Sequence, residues 1–436
     1  MDSLLTGIIG IGAFLFLLVT GVPVAVSMFV VGFVGCVAVL GLGSGLSLLG
    51  TTPYAIASTY QYVCLPLFLL MGSFSLYGGF GKGAYDALYR LVSKFPGGLA
   101  VATTLACGAF GAASGSSVAA AAIFARVSMP EMLKYRYDPK LALGCVAAAG
   151  TFATMIPPSI NLIVYGMFTD TSIVKLFMAG ILPGLFTVLV YSVSIVVRVR
   201  RNPRLAPPAA DEVFTWKDRV AALPMMWPII VLAILIIGGT YLGWFTATEA
   251  GGAGALAAFL IAVKQQGFKG ARLPDALLET AQTAAMIFAI LIGSILFSRF
   301  IAVSQIPAEL ATYLAGLPVP RVVILTCFLI MYFLLGMVVS ALGMLAITLP
   351  IVAPVLEALG YDLIWFGIIA IKMCEIAVVT PPVGLNVYVV KGVVGEGATL
   401  EQIFAGIYPF IVCDVVVLAF LIAFPNIALL LPNLLF

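Results

Sequence analysis

Histidine is absent from all 436 residues, which excludes His-ligated zinc or haem and any Ser-His-Asp hydrolase. Charge is nearly as scarce: 9% of residues are Asp, Glu, Lys or Arg, against about 25% in a soluble globular chain. Water cannot be the solvent of such a chain. No G-x-x-x-x-G-K-[ST] segment occurs, so the chain is not itself a P-loop ATPase. The net charge of +3 is too small, and too divided among loops, to favour nucleic acid as a partner. Cys36, Cys64, Cys107, Cys145, Cys327, Cys374 and Cys413 all sit in apolar runs without C-x-x-C spacing and read as small core hydrophobes.

What is present is hydrocarbon. The chain is 63% hydrophobic with mean hydropathy +1.20. Apolar runs of about 20 residues, the length that crosses a bilayer, follow one another almost end to end and leave no room for a sizeable soluble domain. The first, from Leu4, has no basic n-region or small-residue cleavage site and is read as a span. The fold class expected is an all-α polytopic membrane protein.

The sequence is written twice. Ile156-Pro-Pro-Ser-Ile-Asn-Leu-Ile-Val-Tyr-Gly166 is answered by Thr380-Pro-Pro-Val-Gly-Leu-Asn-Val-Tyr-Val-Val-Lys-Gly392 at a shift of 224 residues, which also carries Pro96 onto Pro320. Leu176-Phe-Met-Ala-Gly-Ile-Leu-Pro183 is answered by Ile403-Phe-Ala-Gly-Ile-Tyr-Pro409. Residues 1–199 form the first repeat, 200–222 a cytoplasmic linker and 223–436 the second. In the first, spans are expected at 4–20, 23–41 and 54–78, a hairpin at 97–128, a broken span at 141–169 and a further span at 175–198. The counterpart hairpin is 321–358 and the counterpart broken helix 362–394. The arms 97–113 and 115–128 are too short to cross a hydrocarbon core of about 30 Å, so each hairpin is expected to be re-entrant.

Lys and Arg accumulate on cytoplasmic loops. Lys82, Arg90 and Lys94, then Arg126, Lys134, Arg136 and Lys140, then Arg198, Arg200, Arg201 and Arg204 belong inside, as do Lys264, Lys269 and Arg272. The 41–53 loop, without charge, belongs outside. Five crossings per half make the second repeat inverted relative to the first.

Inverted repeats with Gly/Pro-broken segments at matching places point to a transport site near the midplane. The breaks are Ala113-Ser-Gly-Ser-Ser117 and Met155-Ile-Pro-Pro-Ser159 in one half, Gly336-Met-Val-Val-Ser340 and Thr380-Pro-Pro-Val-Gly384 in the other. Proline removes an N–H and leaves carbonyls without helical partners, which hydrocarbon tolerates only where they line a cavity or bind something. Sodium, satisfied by carbonyl and hydroxyl oxygens, fits. The candidate sodium ligands are Ser114, Gly115, Ser116, Ile156, Pro158, Gly336, Ser340, Thr380 and Pro382. Half-helices restarting at Ser159 and Val383 would aim N–H groups at an anion, with Ser117, Ser159, Asn161, Gly384 and Asn386 as substrate candidates. Asn161 and Asn386 equally suit capping of local backbone. A lone Pro-Pro is more often a kink, and a Gly-Ser run more often helix packing; the recurrence in symmetry-related pairs favours function.

Glu249, Lys372, Glu375 and Asp414 are the ionisable residues expected at membrane depth, where such groups are expensive. Lys372 and Glu375, three apart on one helix face, read as a structural pair, with proton coupling as the alternative. Asp414 is read as facing a partner helix. A polytopic membrane enzyme would need a Ser-Lys or paired-Asp arrangement, which the spacing does not supply, and an inert scaffold would leave the duplicated breaks without a reason.

These motifs, together with Gly21-Val-Pro-Val-Ala25, Leu65-Pro-Leu-Phe68, Pro96-Gly-Gly-Leu99, Ser114-Gly-Ser-Ser117, Met129-Pro-Glu-Met132, Thr248-Glu-Ala250 and Phe424-Pro-Asn-Ile-Ala-Leu-Leu-Leu-Pro432, resemble the large membrane subunit of TRAP transporters, the DctM type, over nearly the whole chain. The resemblance implies a sodium-coupled importer of organic acids such as a C4-dicarboxylate or sialic acid, in the bacterial inner membrane. It implies two partners, a soluble periplasmic binding protein (DctP type) and a small four-helix membrane subunit (DctQ type). It implies an elevator mechanism in which a moving domain carries both hairpins. The coupling ion it implies is Na+, with no organic cofactor. Ser340 stands where many relatives have an acidic residue. A stand-alone carboxylate carrier of similar architecture is the alternative within transport.

Overall fold

A backbone in hydrocarbon has no hydrogen-bond partner but itself, so it becomes helix wherever proline and glycine allow. The computed structural model describes residues 3–207, 214–316 and 318–435, and every regular element among them is helical. The first half runs α1 Ser3–Val19, α2 Val24–Leu40, α3 Leu42–Ser58, α4 Cys64–Tyr77, α5 Phe80–Val92, α6 Gly98–Ser114, α7 Ser117–Lys134, α8 Pro139–Ala149, α9 Ile160–Thr169 and α10 Ile173–Arg201. The second runs α11 Trp216–Ala222, α12 Trp227–Ala233, α13 Gly239–Tyr241, α14 Ala247–Gly270, α15 Leu273–Val303, α16 Ile306–Ala315, α17 Arg321–Gly336, α18 Ala341–Ala358, α19 Leu363–Ala377, α20 Leu385–Val394, α21 Leu400–Ala423 and α22 Asn426–Leu435. Among the described residues seven helical stretches, Ile173–Arg201 and Leu273–Val303 the longest, are long and apolar enough to cross a membrane. The chain is a multi-pass membrane protein.

Element order repeats as the sequence does. A helical pair (α6/α7, α17/α18) is followed by a helix, a break and a short helix (α8/α9, α19/α20), and then by a long helix (α10, α21). The pairs turn through two residues in the first half, Gly115 and Ser116, and through 337–340 in the second. Both breaks hold a Pro-Pro, with the peptides Pro157-Pro158 and Pro381-Pro382 cis.

Two expectations need correction, and a third gains a local role. Residues 42–58, read as an outside loop and the start of a span, form α3, because only Gly41 (φ 87°) and no charge interrupts the apolar run. The second hairpin arm continues through Met129-Pro-Glu-Met132 to Lys134 and has 18 residues, about 27 Å of helix; proline at 130 removes one N–H without ending it. Glu249, expected at membrane depth, is an exposed residue of the first turn of α14: it closes a capping box with Thr246, accepting its N–H at 2.8 Å. The linker expected at 200–222 runs partly through 208–213, outside the described residues.

Packing depends on small residues where backbones touch, the usual means in membranes. The crossing of α8 and α21 is the tightest: a side chain on Gly406 would strike the Lys140 carbonyl, and one on Gly144 the backbone of Gly406.

Candidate functional site

Three helices begin around one cavity, and each begins with a serine. Ser116 caps α7 by accepting the Ala119 N–H at 3.3 Å, and Ser340 caps α18 by accepting the Gly343 N–H at 3.3 Å. Ser159 caps α9 by accepting the Leu162 N–H at 3.4 Å. Each cap satisfies one of the four amide groups that a helix start leaves without partners. The rest, with the positive end of the helix dipole, favour an anion. In the same place α6 ends at Ser114, supplying C-terminal carbonyls that favour a cation.

The cavity holds about 220 Å³ and lies where the two hairpin tips, Ser114–Ala119 and Ser340–Leu342, meet Thr154 and Asn161 of the first broken helix and Val378 and Leu385 of the second. Its remaining wall is α4 and α15. Ser114 is 2% exposed and its hydroxyl has no hydrogen-bond partner, an open ligand position of the kind a bound ion would satisfy. Gly115 adopts the left-handed conformation (φ 61°), and a Cβ there would lie 2.7 Å from the Pro158 carbonyl oxygen. The hairpin tip therefore sits directly on the break.

Of the residues singled out from sequence, Ser114, Gly115, Ser116, Ser117, Asn161 and Ser340 line the cavity, with Pro158 beneath Gly115. The others lie elsewhere. Ile156 packs its side chain against Gly108 and Gly184. Ser159 is fully buried and also donates to the Thr154 carbonyl, so its hydroxyl bridges the break and does not face the cavity. Gly336 makes room for Ala377 where α17 passes α19. Thr380 donates to the Ile376 carbonyl at 2.5 Å, closing the last turn of α19. Pro382 is exposed, and Gly384 turns the chain into α20 against Phe404. Asn386 donates to the Ala147 carbonyl at 3.2 Å and joins the second broken helix to α8. Proline and glycine are needed at a break whether or not it binds anything, so residue type alone did not separate these from the cavity residues.

Sequence reading missed the wall opposite the tips. Glu279, Thr280 and Thr283 of α15 line the cavity with Ser73 of α4. The available signal was a carboxylate and two hydroxyls at i, i+1 and i+4 in a predominantly apolar helix. Among the described residues no group of three or more His, Cys, Asp or Glu could hold a metal. An ion at the hairpin tips would be held by hydroxyl and carbonyl oxygens, while the wall opposite offers a single carboxylate.

Behind the cavity is an ion network. The Lys372 ammonium donates to Glu375 at 2.7 Å, to Asp414 at 2.6 Å and to the Thr187 hydroxyl at 3.3 Å, which uses its three protons. Tyr191 donates to the second Asp414 oxygen at 2.7 Å. The Thr154 hydroxyl is shared between the Thr151 carbonyl at 2.7 Å and Glu375 at 3.2 Å. The i, i+3 pair read from sequence is present; Asp414 completes it from α21 and does not face a partner helix. Since Thr154 also lines the cavity, the network ties the first break to α10, α19 and α21.

Comparison with known proteins agrees with this architecture. Residues 11–427 match the family described as Tripartite ATP-independent periplasmic transporter, DctM component. A C4-dicarboxylate TRAP transporter large permease protein of Pseudomonas aeruginosa is 33% identical over 90% of this chain and 93% of its own. A sialic acid TRAP transporter large permease protein of Vibrio cholerae is 29% identical over 96% of both. The crystal structure of the Alcanivorax borkumensis YdaH transporter shares the fold, with a TM-score of 0.58 at 17% identity over 88% of this chain and 90% of that one. These relatives are permeases, not enzymes, and the chain belongs to the DctM component family of tripartite ATP-independent periplasmic transporters.

Proposed function

We propose that this permease takes up an organic acid anion together with sodium. The observation that carries the reading is the meeting of both hairpin tips at one cavity, with helix N-termini for an anion and the α6 carboxyl end plus the Ser114 hydroxyl for a cation. Its volume of about 220 Å³ is below the ~300–1,000 Å³ of sites for drug-sized ligands, which favours a small acid such as a C4-dicarboxylate over sialic acid. The repeated order of hairpin, broken helix and long helix supports two inverted repeats, and the shared cavity supports an elevator in which both hairpins travel as one body. By family, the partners are a DctQ-type small membrane subunit and a DctP-type binding protein, and the location is the bacterial inner membrane.

The test is uptake of labelled C4-dicarboxylates and sialic acid into proteoliposomes holding the chain and its small subunit, with and without binding protein and a sodium gradient. Uptake that needs both supports the reading. Uptake without binding protein makes the chain a stand-alone carrier, and uptake indifferent to sodium removes the coupling ion.

Ser116→Ala is expected to raise the sodium required for half-maximal uptake by roughly tenfold, about 1.4 kcal/mol of ion binding. It also removes a helix cap worth about 1 kcal/mol, whereas glycine caps nearly as well as serine. Ser116→Gly should therefore reproduce the sodium effect while melting close to the parent. A normal sodium response in both variants would take Ser116 out of the site.

A further inference from the structure

We propose that Glu279 and Thr280 of α15, with Ser73 of α4, form a second cation site on the wall facing the hairpin tips, which receives sodium on its way to the cytoplasm. The inference rests on the sodium-coupled reading above. Glu279 is half-buried and lines the cavity; Ser73 donates to it at 3.4 Å and Tyr77 at 3.2 Å, both on Oε2. Among the described residues no lysine or arginine pairs with it. Two long hydrogen bonds are weak compensation for a carboxylate beside a cavity in an apolar body.

The adjacent Thr280 supplies an independent sign of a ligand. It is 8% exposed and its hydroxyl lacks a partner, although it faces the same cavity. A carboxylate, an unsatisfied hydroxyl and a serine hydroxyl are oxygen donors suited to a monovalent cation. They are unsuited to the organic anion, which the carboxylate repels. The cavity thus has two polar walls of different character. The tips offer amides and hydroxyls, whereas α15 offers negative charge.

Position gives the site its role. Glu279 lies about 9 Å along α15 from its first residue, Leu273, and Arg272, immediately before that helix, belongs to a loop assigned to the cytoplasm by its positive charge. A cation leaving the tips toward the cytoplasm would pass this wall first. Sodium already in the cytoplasm would occupy it from the other direction and oppose uptake.

The test is inhibition of uptake by internal sodium, in proteoliposomes of the chain with its partners. In Glu279→Gln the internal sodium that halves uptake should rise roughly tenfold, while external half-saturation moves by less than about twofold. Thr280→Val, nearly isosteric, should shift internal inhibition in the same direction and serves if Glu279→Gln folds poorly. Unchanged internal inhibition in both variants overturns the site and leaves coupling intact. A parent without sodium dependence overturns both. Inhibition by internal methylammonium but not by sodium would assign the wall to a substrate ammonium group, against the proposal.

Discussion

Lys372→Met is expected to abolish recovery of folded protein. Lys372, Glu375 and Asp414 are at most 1% exposed at their side chains, and among the described residues the Lys372 ammonium is the cation that pairs with both carboxylates. Removing one partner of a buried pair costs about 3–5 kcal/mol, a large share of the ~5–15 kcal/mol that separates folded from unfolded states in ordinary domains. The penalty comes from the stranded carboxylates and not from lost attraction, which yields a counter-intuitive companion result. The triple variant Lys372→Met, Glu375→Gln, Asp414→Asn should be recovered better than the single one, because its neutral amides still accept from Thr154 and Tyr191. Thermal melting and monodispersity in detergent decide the matter. If Lys372→Met melts with the parent, the network is not a structural tie. If it folds but no longer transports, proton or ion coupling through the network becomes the better reading.

Gly115→Val should leave a folded protein that hardly transports. A β-branched residue in the left-handed region is a genuine outlier, with a penalty of about 1–2 kcal/mol. The new Cβ would also sit 2.7 Å from the Pro158 carbonyl oxygen, so either the hairpin tip or the break must move. Both belong to the proposed ion site. Uptake is expected to fall roughly 10- to 100-fold, the equivalent of one to two steps of 1.4 kcal/mol, with Gly115→Ala intermediate. The melting temperature should fall by a few degrees, the effect of a penalty of about 1–2 kcal/mol. Parental uptake by the valine variant would show that the contact between tip and break is dispensable.

The legible and illegible parts of the site divide along one physical line. Ser116 and Ser340 could be placed at the tips because a helix start selects serine locally, Ser114 and Ser117 flank the same turn as Ser116, and all four turn out to line the cavity. Asn161 reached it as well. Asn386, its counterpart in the repeat, did not: its amide is taken by the Ala147 carbonyl, 239 residues away in sequence. Nothing in the repeat could have distinguished the two asparagines, since the difference lies in what packs against each.

By itself the sequence determined the solvent, the helical class, the two hairpins, the two breaks and their order. All of these follow from hydropathy, proline, glycine and caps, which act over a few residues or one helical turn. Only the tertiary structure decided which residues share the cavity, that Asp414 closes the Lys372 pair, and that Glu279 confronts the tips. Those outcomes depend on side chains such as Ser73 and Glu279 that meet across 206 residues, and helix-to-helix packing, which no local pattern encodes, brings them within reach.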